Sequence, residues 1–175
     1  MRLRIVALSF AIGITLTGCS SGTSKAVPTP EPSKSSAAPA LTGTEVSVAV
    51  TGDIKSEPVV TITPGDPASK LTTQDIAVGT GPAVNAGATV TANYVGYGAA
   101  SGQMFDSSWH SGTPPTFPLG NVILGWQKGL VGMQVGGRRL LIIPAELGYG
   151  NAPPPGSGIA NGETLVFVVD LVSFK

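Results

Sequence analysis

Few residues in this chain can do chemistry, and their types exclude more than they permit. The only histidine, His110, lies in a stretch of Ser, Gly and Pro and reads as a solvated loop residue. The only cysteine, Cys19, is placed for lipid attachment, so neither a Cys–His pair nor a Cys/His zinc site can be assembled. The chain has no G-x-S-x-G, no complete G-x-G-x-x-G and no P-loop. Its acidic residues are scattered, with no adjacent pair to suggest a glycosidase or a metal cage. What remains is a spaced set of apolar and aromatic residues: Tyr94, Phe105, Val122, Ile123, Trp126, Tyr149, Ile159 and Phe167. Each taken singly can be core packing. Asp106 is harder to place in a core, because a carboxylate following Phe105 on a short strand needs a partner or water. A turn cap using Ser107 or Ser108 is the alternative. Tyr149, between Gly148 and Gly150, can anchor a loop or face a ligand through its hydroxyl. A greasy pocket with two polar contacts and no nucleophile suits a reaction that forms no covalent bond to its substrate.

The elements that must position these residues are mostly strands. Only 11% of residues are charged, and Gly and Pro are abundant, which suits short strands and many turns. The 10 basic and 10 acidic residues balance, giving no electrostatic reason to invoke nucleic acid. Val46, Val48 and Val50 alternate, and Val59, Val60 and Ile62 follow Pro58, predicting one or two edge strands in a segment of residues 45–69 that either adds to the main sheet or forms a small lobe. The main domain is expected over residues 70–175. Within it, strands are predicted at 74–78, 89–95, 103–107, 138–143 and 164–174. Val90, Ala92 and Tyr94 share one face of the second, and Leu165, Phe167, Val169 and Leu171 share one face of the last. Ile123, Trp126, Leu130 and Met133 predict a helix within 122–133. Gly125, Gly129 and Gly132 make it a poor helix alone, so packing must hold it, with glycine allowing close approach to the sheet. Residues 109–119 and 151–162 read as long loops, where sites tend to lie. The pattern is α+β: four or five antiparallel strands curled around one short helix.

Residues 1–18 read as an export signal. Arg2 and Arg4 precede an apolar run over residues 5–16, too short for a membrane span of about 20 residues. Leu16-Thr-Gly-Cys19 resembles a lipobox, with cleavage before Cys19 and acylation of its sulfur. The expected address is extracytoplasmic, on a cell membrane held by acyl chains such as palmitate, since two chains anchor stably where one does not. Residues 19–44 carry this cysteine and a run of Ser, Thr, Pro, Ala, Gly and Lys with too little apolar surface to order, a tether.

Several motifs together resemble the FKBP-type peptidyl-prolyl isomerases. They are Tyr94-Val-Gly96, Phe105-Asp-Ser-Ser108, Phe117-Pro-Leu-Gly120, Val122-Ile-Leu-Gly-Trp126, Val135-Gly-Gly-Arg138, Ile143-Pro144, Gly148-Tyr-Gly150 and Leu165-Val-Phe167. The resemblance spans about residues 70–175. It implies a twisted, half-open antiparallel sheet wrapped around a short helix, FKBP-like. It places Trp126 at the pocket floor and Tyr94, Phe105, Val122, Ile123 and Phe167 in its walls. Phe117 also contacts substrate, Tyr149 and Ile159 form the rim, and Asp106 sits at the edge. Asp106, Tyr149, Phe105 and Ile123 are the implied catalytic set, with the Ile123 N–H and the Tyr149 hydroxyl bonding carbonyls of a bound peptide or macrolide. No cofactor and no metal is implied, and the partners are proline-containing polypeptides met by a monomer.

That chemistry suits the residues. Rotation about a peptide bond faces about 18–20 kcal/mol because the planar amide is resonance-stabilised, and exchange at Xaa-Pro bonds takes tens of seconds or more. The twisted transition state has lost that resonance and its charge separation, so an apolar pocket tolerates it better than the planar amide. Two positions depart from the family pattern. Trp109-His-Ser-Gly-Thr-Pro114 has no Arg or Lys where members often carry a basic partner for the Asp, so Asp106 is left to Tyr149, Ser residues or water. Pro115 stands where a pocket aromatic is common. A weakly active or inactive peptide-binding chaperone on the same scaffold is therefore the alternative reading.

Overall fold

Two segments of nearly unbroken apolar sequence, Leu140-Leu-Ile-Ile143 and Leu165-Val-Phe-Val-Val169, imply strands buried on both faces rather than one. The computed structural model, which describes residues 45–175, shows why. The expected signal peptide, Cys19 and tether lie outside the described residues. Strands β1 (Ser47–Thr51) and β2 (Val59–Thr63) pair as an antiparallel hairpin of their own. The main sheet holds six strands: β3 (Thr72–Ala77), β4 (Thr89–Gly98), β5 (Met104–Ser107), β6 (Thr116–Pro118), β7 (Arg138–Ile143) and β8 (Leu165–Phe174). Their order is β3-β7-β8-β4-β5, all antiparallel, and β6 pairs with the first residues of β4 beside the β5 segment.

Alternation along the central strands sends residues to two layers. Val90, Ala92, Leu141, Ile143, Leu165, Phe167 and Val169 meet the one α-helix among the described residues, α1 (Leu124–Gly129). Val95, Leu140, Ile142, Val166 and Val168 meet Val46, Val48 and Val50 of the hairpin. The hairpin is thus a lid on the far side of the sheet. The sequence leaves residues 45–69 open between an addition to the main sheet and a small lobe; β1 and β2 pair only with each other, each an edge of a two-stranded sheet that covers a face of the main one, and Pro58 is buried just before β2. Beneath the hairpin lies Arg138, with no exposed surface, directly across from Asp170. Its Nε and Nη2 donate to the two Asp170 oxygens at 2.5 and 2.7 Å. Its Nη1 and Nη2 also donate to Gly52 O and Ser56 O in the β1–β2 turn, at 3.2 and 2.6 Å. A buried guanidinium needs partners for its five donors, and the turn supplies two of the four bonds it makes.

The helix is six residues long, shorter than residues 122–133 predict, with a 3-10 turn at Leu119–Asn121 before it. It lacks a side-chain N-cap. Packing holds it, as expected: a Cβ on Gly125 would stand 2.4 Å from Ile143 Cγ2, so only glycine allows this approach. Arg139, paired with Asp75 across β3 and β7, donates from Nη1 to Gly129 O at 2.8 Å and ties down the helix C-terminus.

Candidate active site

One irregularity in pairing builds the site. Strand β5 pairs with β4 at Val95↔Ser107 and Gly96↔Asp106, then slips so that Tyr97 faces Met104. The bulge leaves Phe105 without an opposite residue, and consecutive residues Phe105 and Asp106 both turn toward the helix side. Gly96 makes room for them: a Cβ there would lie 2.8 Å from the rings of Phe105 and Phe167.

The resulting cavity has a volume of about 270 Å³. Trp126, 4% exposed, stands on α1 among its linings. Its indole meets Tyr94, Phe117 and Phe167 edge-on, with centroids 5.3, 5.5 and 5.4 Å away and planes 87°, 78° and 89° apart. Phe105 meets Phe167 in the same way at 5.6 Å. Edge-to-face pairs of this kind each add about 0.5–1.5 kcal/mol beyond burial. Trp126 Nε1 has no acceptor among the described residues, and their packing orients the ring. Val122, Ile123 and Tyr149 complete the cage with Asn121, an exposed rim residue that sequence reasoning missed. Hydrophobic patterning carries no signal for a polar residue at the mouth. Ile159 packs against the helix-side core but is not among the residues lining the cavity.

The polar groups are arranged simply. The Tyr94 hydroxyl donates to Asp106 Oδ2 at 2.7 Å. The partner expected from sequence was Tyr149, a serine or water. Register decides otherwise: Asp106 sits opposite Gly96, two residues beyond Tyr94 on the same face. Ser107 and Ser108 bond elsewhere, to Glu57 and Asn93, so neither caps Asp106. Burial raises the Tyr94 phenol well above its ordinary pKa of 10, with further contributions from the bond to Asp106, that carboxylate's charge and Tyr149. Burial, then the charge of Asp106, raises Tyr149 as well. Both phenols are therefore neutral donors at physiological pH. The Ile123 N–H, just before α1, has no backbone acceptor among the described residues. Two donors and one carboxylate around an aromatic floor can hold carbonyls and an apolar ring, with no group placed as a nucleophile.

The family model described as FKBP-type peptidyl-prolyl cis-trans isomerase matches residues 81–172. The chain belongs to the FKBP-type peptidyl-prolyl cis-trans isomerases. Every residue lining the cavity falls inside that match. The isomerase is 50% identical over 119 residues to an FK506-binding protein of Streptomyces anulatus, an alignment covering 67% of this chain and 96% of that one. It is 45% identical over 118 residues to a probable FK506-binding protein of Corynebacterium glutamicum, covering 67% and 98%. Its fold is that of the crystal structure of FkpA from Escherichia coli, with a TM-score of 0.56 and 40% identity over 63% of this chain and 51% of that one. An antiparallel sheet with a single short helix is the shared architecture.

Proposed function

We propose that this isomerase acts outside the cytoplasm, anchored to a membrane through acylated Cys19, and speeds Xaa-Pro rotation in envelope or secreted proteins as they fold. The aromatic cage on Trp126, with Asp106 and Tyr149 at its edge, is the observation that carries the catalytic part. In this reading the proline ring rests on Trp126 between Tyr94, Phe105, Phe117 and Phe167. The Ile123 N–H and Tyr149 hydroxyl hold flanking carbonyls while the bond turns. Asp106, oriented by Tyr94, faces the rotating amide. The cage favours the twisted amide because that state has less charge separation to desolvate. Macrolides would compete for the same cage.

Arg2, Arg4, the apolar run at residues 5–16 and Leu16-Thr-Gly-Cys19 support the anchor. Among the described residues no helix is long and apolar enough to cross a membrane, so attachment in this reading rests on Cys19. A binding module with little turnover is the second reading. It is favoured by the single hydrogen bond that fixes Asp106.

The test is exchange at an Xaa-Pro bond in a short peptide, with and without a macrolide. Acceleration abolished by the macrolide is expected. No acceleration at concentrations well above micromolar, with the peptide still bound, would leave the second reading. Asp106→Ala should lose rate yet keep a cooperative unfolding transition. In the producing cell, Cys19→Ser should move the protein from the membrane to the soluble fraction, and retention in the membrane would sink the anchor.

A further inference from the structure

The strand that carries Asp106 is a short edge strand. β5 has four residues, pairs on one side only, and its pairing is broken by the bulge next to Asp106. The Asp106 carboxylate has one hydrogen bond among the described residues, from Tyr94. Buried Ser108 ties the end of the strand to β4, accepting the Tyr94 N–H at 2.8 Å and donating its own N–H to Tyr94 O at 3.0 Å, and a further contact holds the strand from behind. Ser107, the residue after Asp106, lies opposite Val95 and therefore on the hairpin side of the sheet. Its hydroxyl donates to Glu57 Oε1 at 2.7 Å and accepts the Trp109 N–H at 3.3 Å. Glu57 belongs to the β1–β2 turn, outside the segment that matches the family. It stands between Ser56, whose carbonyl Arg138 holds at 2.6 Å, and Pro58, which is buried. The turn is thus fastened to the centre of the sheet through Arg138 and Asp170, and one side chain reaches from it to the edge strand.

We infer that Glu57 is a positioning residue for the isomerase: through Ser107 it fixes the strand that aims Asp106 and Phe105 into the cavity. The inference rests on the reading of Asp106 as a group acting at the pocket edge. The hairpin is in this view a brace that adds, from the far face, a constraint on the bulged edge strand beyond its own bonds to β4. Both side chains are near the surface, so the bond contributes modestly to stability, but catalysis depends on where Asp106 points. A misplacement of a reacting group by about 1 Å can cost far more rate than stability.

The experiment measures kcat and KM for an Xaa-Pro peptide, with thermal unfolding, on the purified full chain. Glu57→Ala and Ser107→Ala should each lower kcat/KM about threefold to tenfold, the range for loss of one hydrogen bond. The loss should fall in kcat, and the double variant should be no worse than either single one. Glu57→Gln, which keeps an acceptor oxygen, should recover most of the rate. Val48→Ala trims the hairpin's packing without touching the contact; it should lower Tm and leave kcat/KM in place. Additive losses in the double variant, an unchanged rate in Glu57→Ala, or a Val48→Ala loss as large as that of Glu57→Ala would each overturn the inference. Asp106→Ala separates the two readings. If it keeps the parental rate, the assignment of Asp106 fails and takes the brace with it. If it loses rate while Glu57→Ala does not, only the brace fails.

Discussion

Gly96→Ala tests the construction of the pocket directly. The added methyl carbon would lie 2.8 Å from Phe105 Cε2, Phe105 Cζ and Phe167 Cε1, where ordinary contact begins at 3.4 Å. Each ring must therefore retreat by about 0.6 Å, the difference between those distances. Phe167 is already in edge contact with Trp126 at 5.4 Å, and Phe105 borders the cavity. The retreat is thus directed into the space that receives substrate. Overpacking of this kind costs about 1–3 kcal/mol. If that strain appears in the bound transition state, kcat/KM falls by about fivefold to 150-fold. Gly120→Ala is the control, because a Cβ there meets nothing within 4 Å. The assay is Xaa-Pro exchange beside urea unfolding, to show that both variants are folded at the assay temperature. A Gly96→Ala enzyme within twofold of the parent would refute the claim that this glycine creates the room the two rings share.

Three further outcomes follow from the geometry. Arg138→Met leaves Asp170 buried without its partner and releases the hairpin turn; it should cost about 3–5 kcal/mol in urea unfolding, and a loss under 1 kcal/mol would contradict the keystone role. Tyr94 and Tyr149 both have raised folded-state pKa values, so the folded state holds these protons more tightly. Their contribution is present in full below the unfolded value of about 10 and is lost as pH climbs toward the folded values. Unfolding free energy should therefore decline above about pH 10, and less steeply in Tyr94→Phe; equal slopes would exclude this phenol as a source. Trp126→Leu keeps an apolar floor but removes three edge-to-face contacts. Macrolide affinity should drop at least tenfold while far-ultraviolet circular dichroism stays unchanged, and parental affinity would exclude the indole as the floor.

The central strands were legible because their patterns are strong. Val90, Ala92 and Tyr94 do share a face, as do Leu165, Phe167, Val169 and Leu171, and the strand at Arg138–Ile143 falls where sequence puts it. β6 was hidden within an expected loop: three residues with prolines at Pro114, Pro115 and Pro118 give too short an alternation to register. The helix came out short because Gly129 ends it, and Leu130 and Met133 reach the core from the turn that follows. Apolar spacing finds the cage but not its polar wiring. That Tyr94 reaches Asp106, or that Arg138 faces Asp170, depends on register and on a bulge, neither of which leaves a periodic trace. For the same reason the hairpin could be seen as strands but not assigned to a face.

The hairpin also imposes an order on biosynthesis. It is the first described element to leave the ribosome, yet Arg138, Leu140, Ile142, Val166, Val168 and Asp170, which receive it, lie on β7 and β8. Local pairing of β1 with β2 can form early, but the apolar side carrying Val46, Val48 and Val50 is not fully covered until the last strand is made. A nascent chain therefore carries an uncovered valine stripe through most of its synthesis, a state prone to association. A factor that shields this stripe until β8 emerges would raise the yield of folded isomerase, and one that merely speeds early collapse would not.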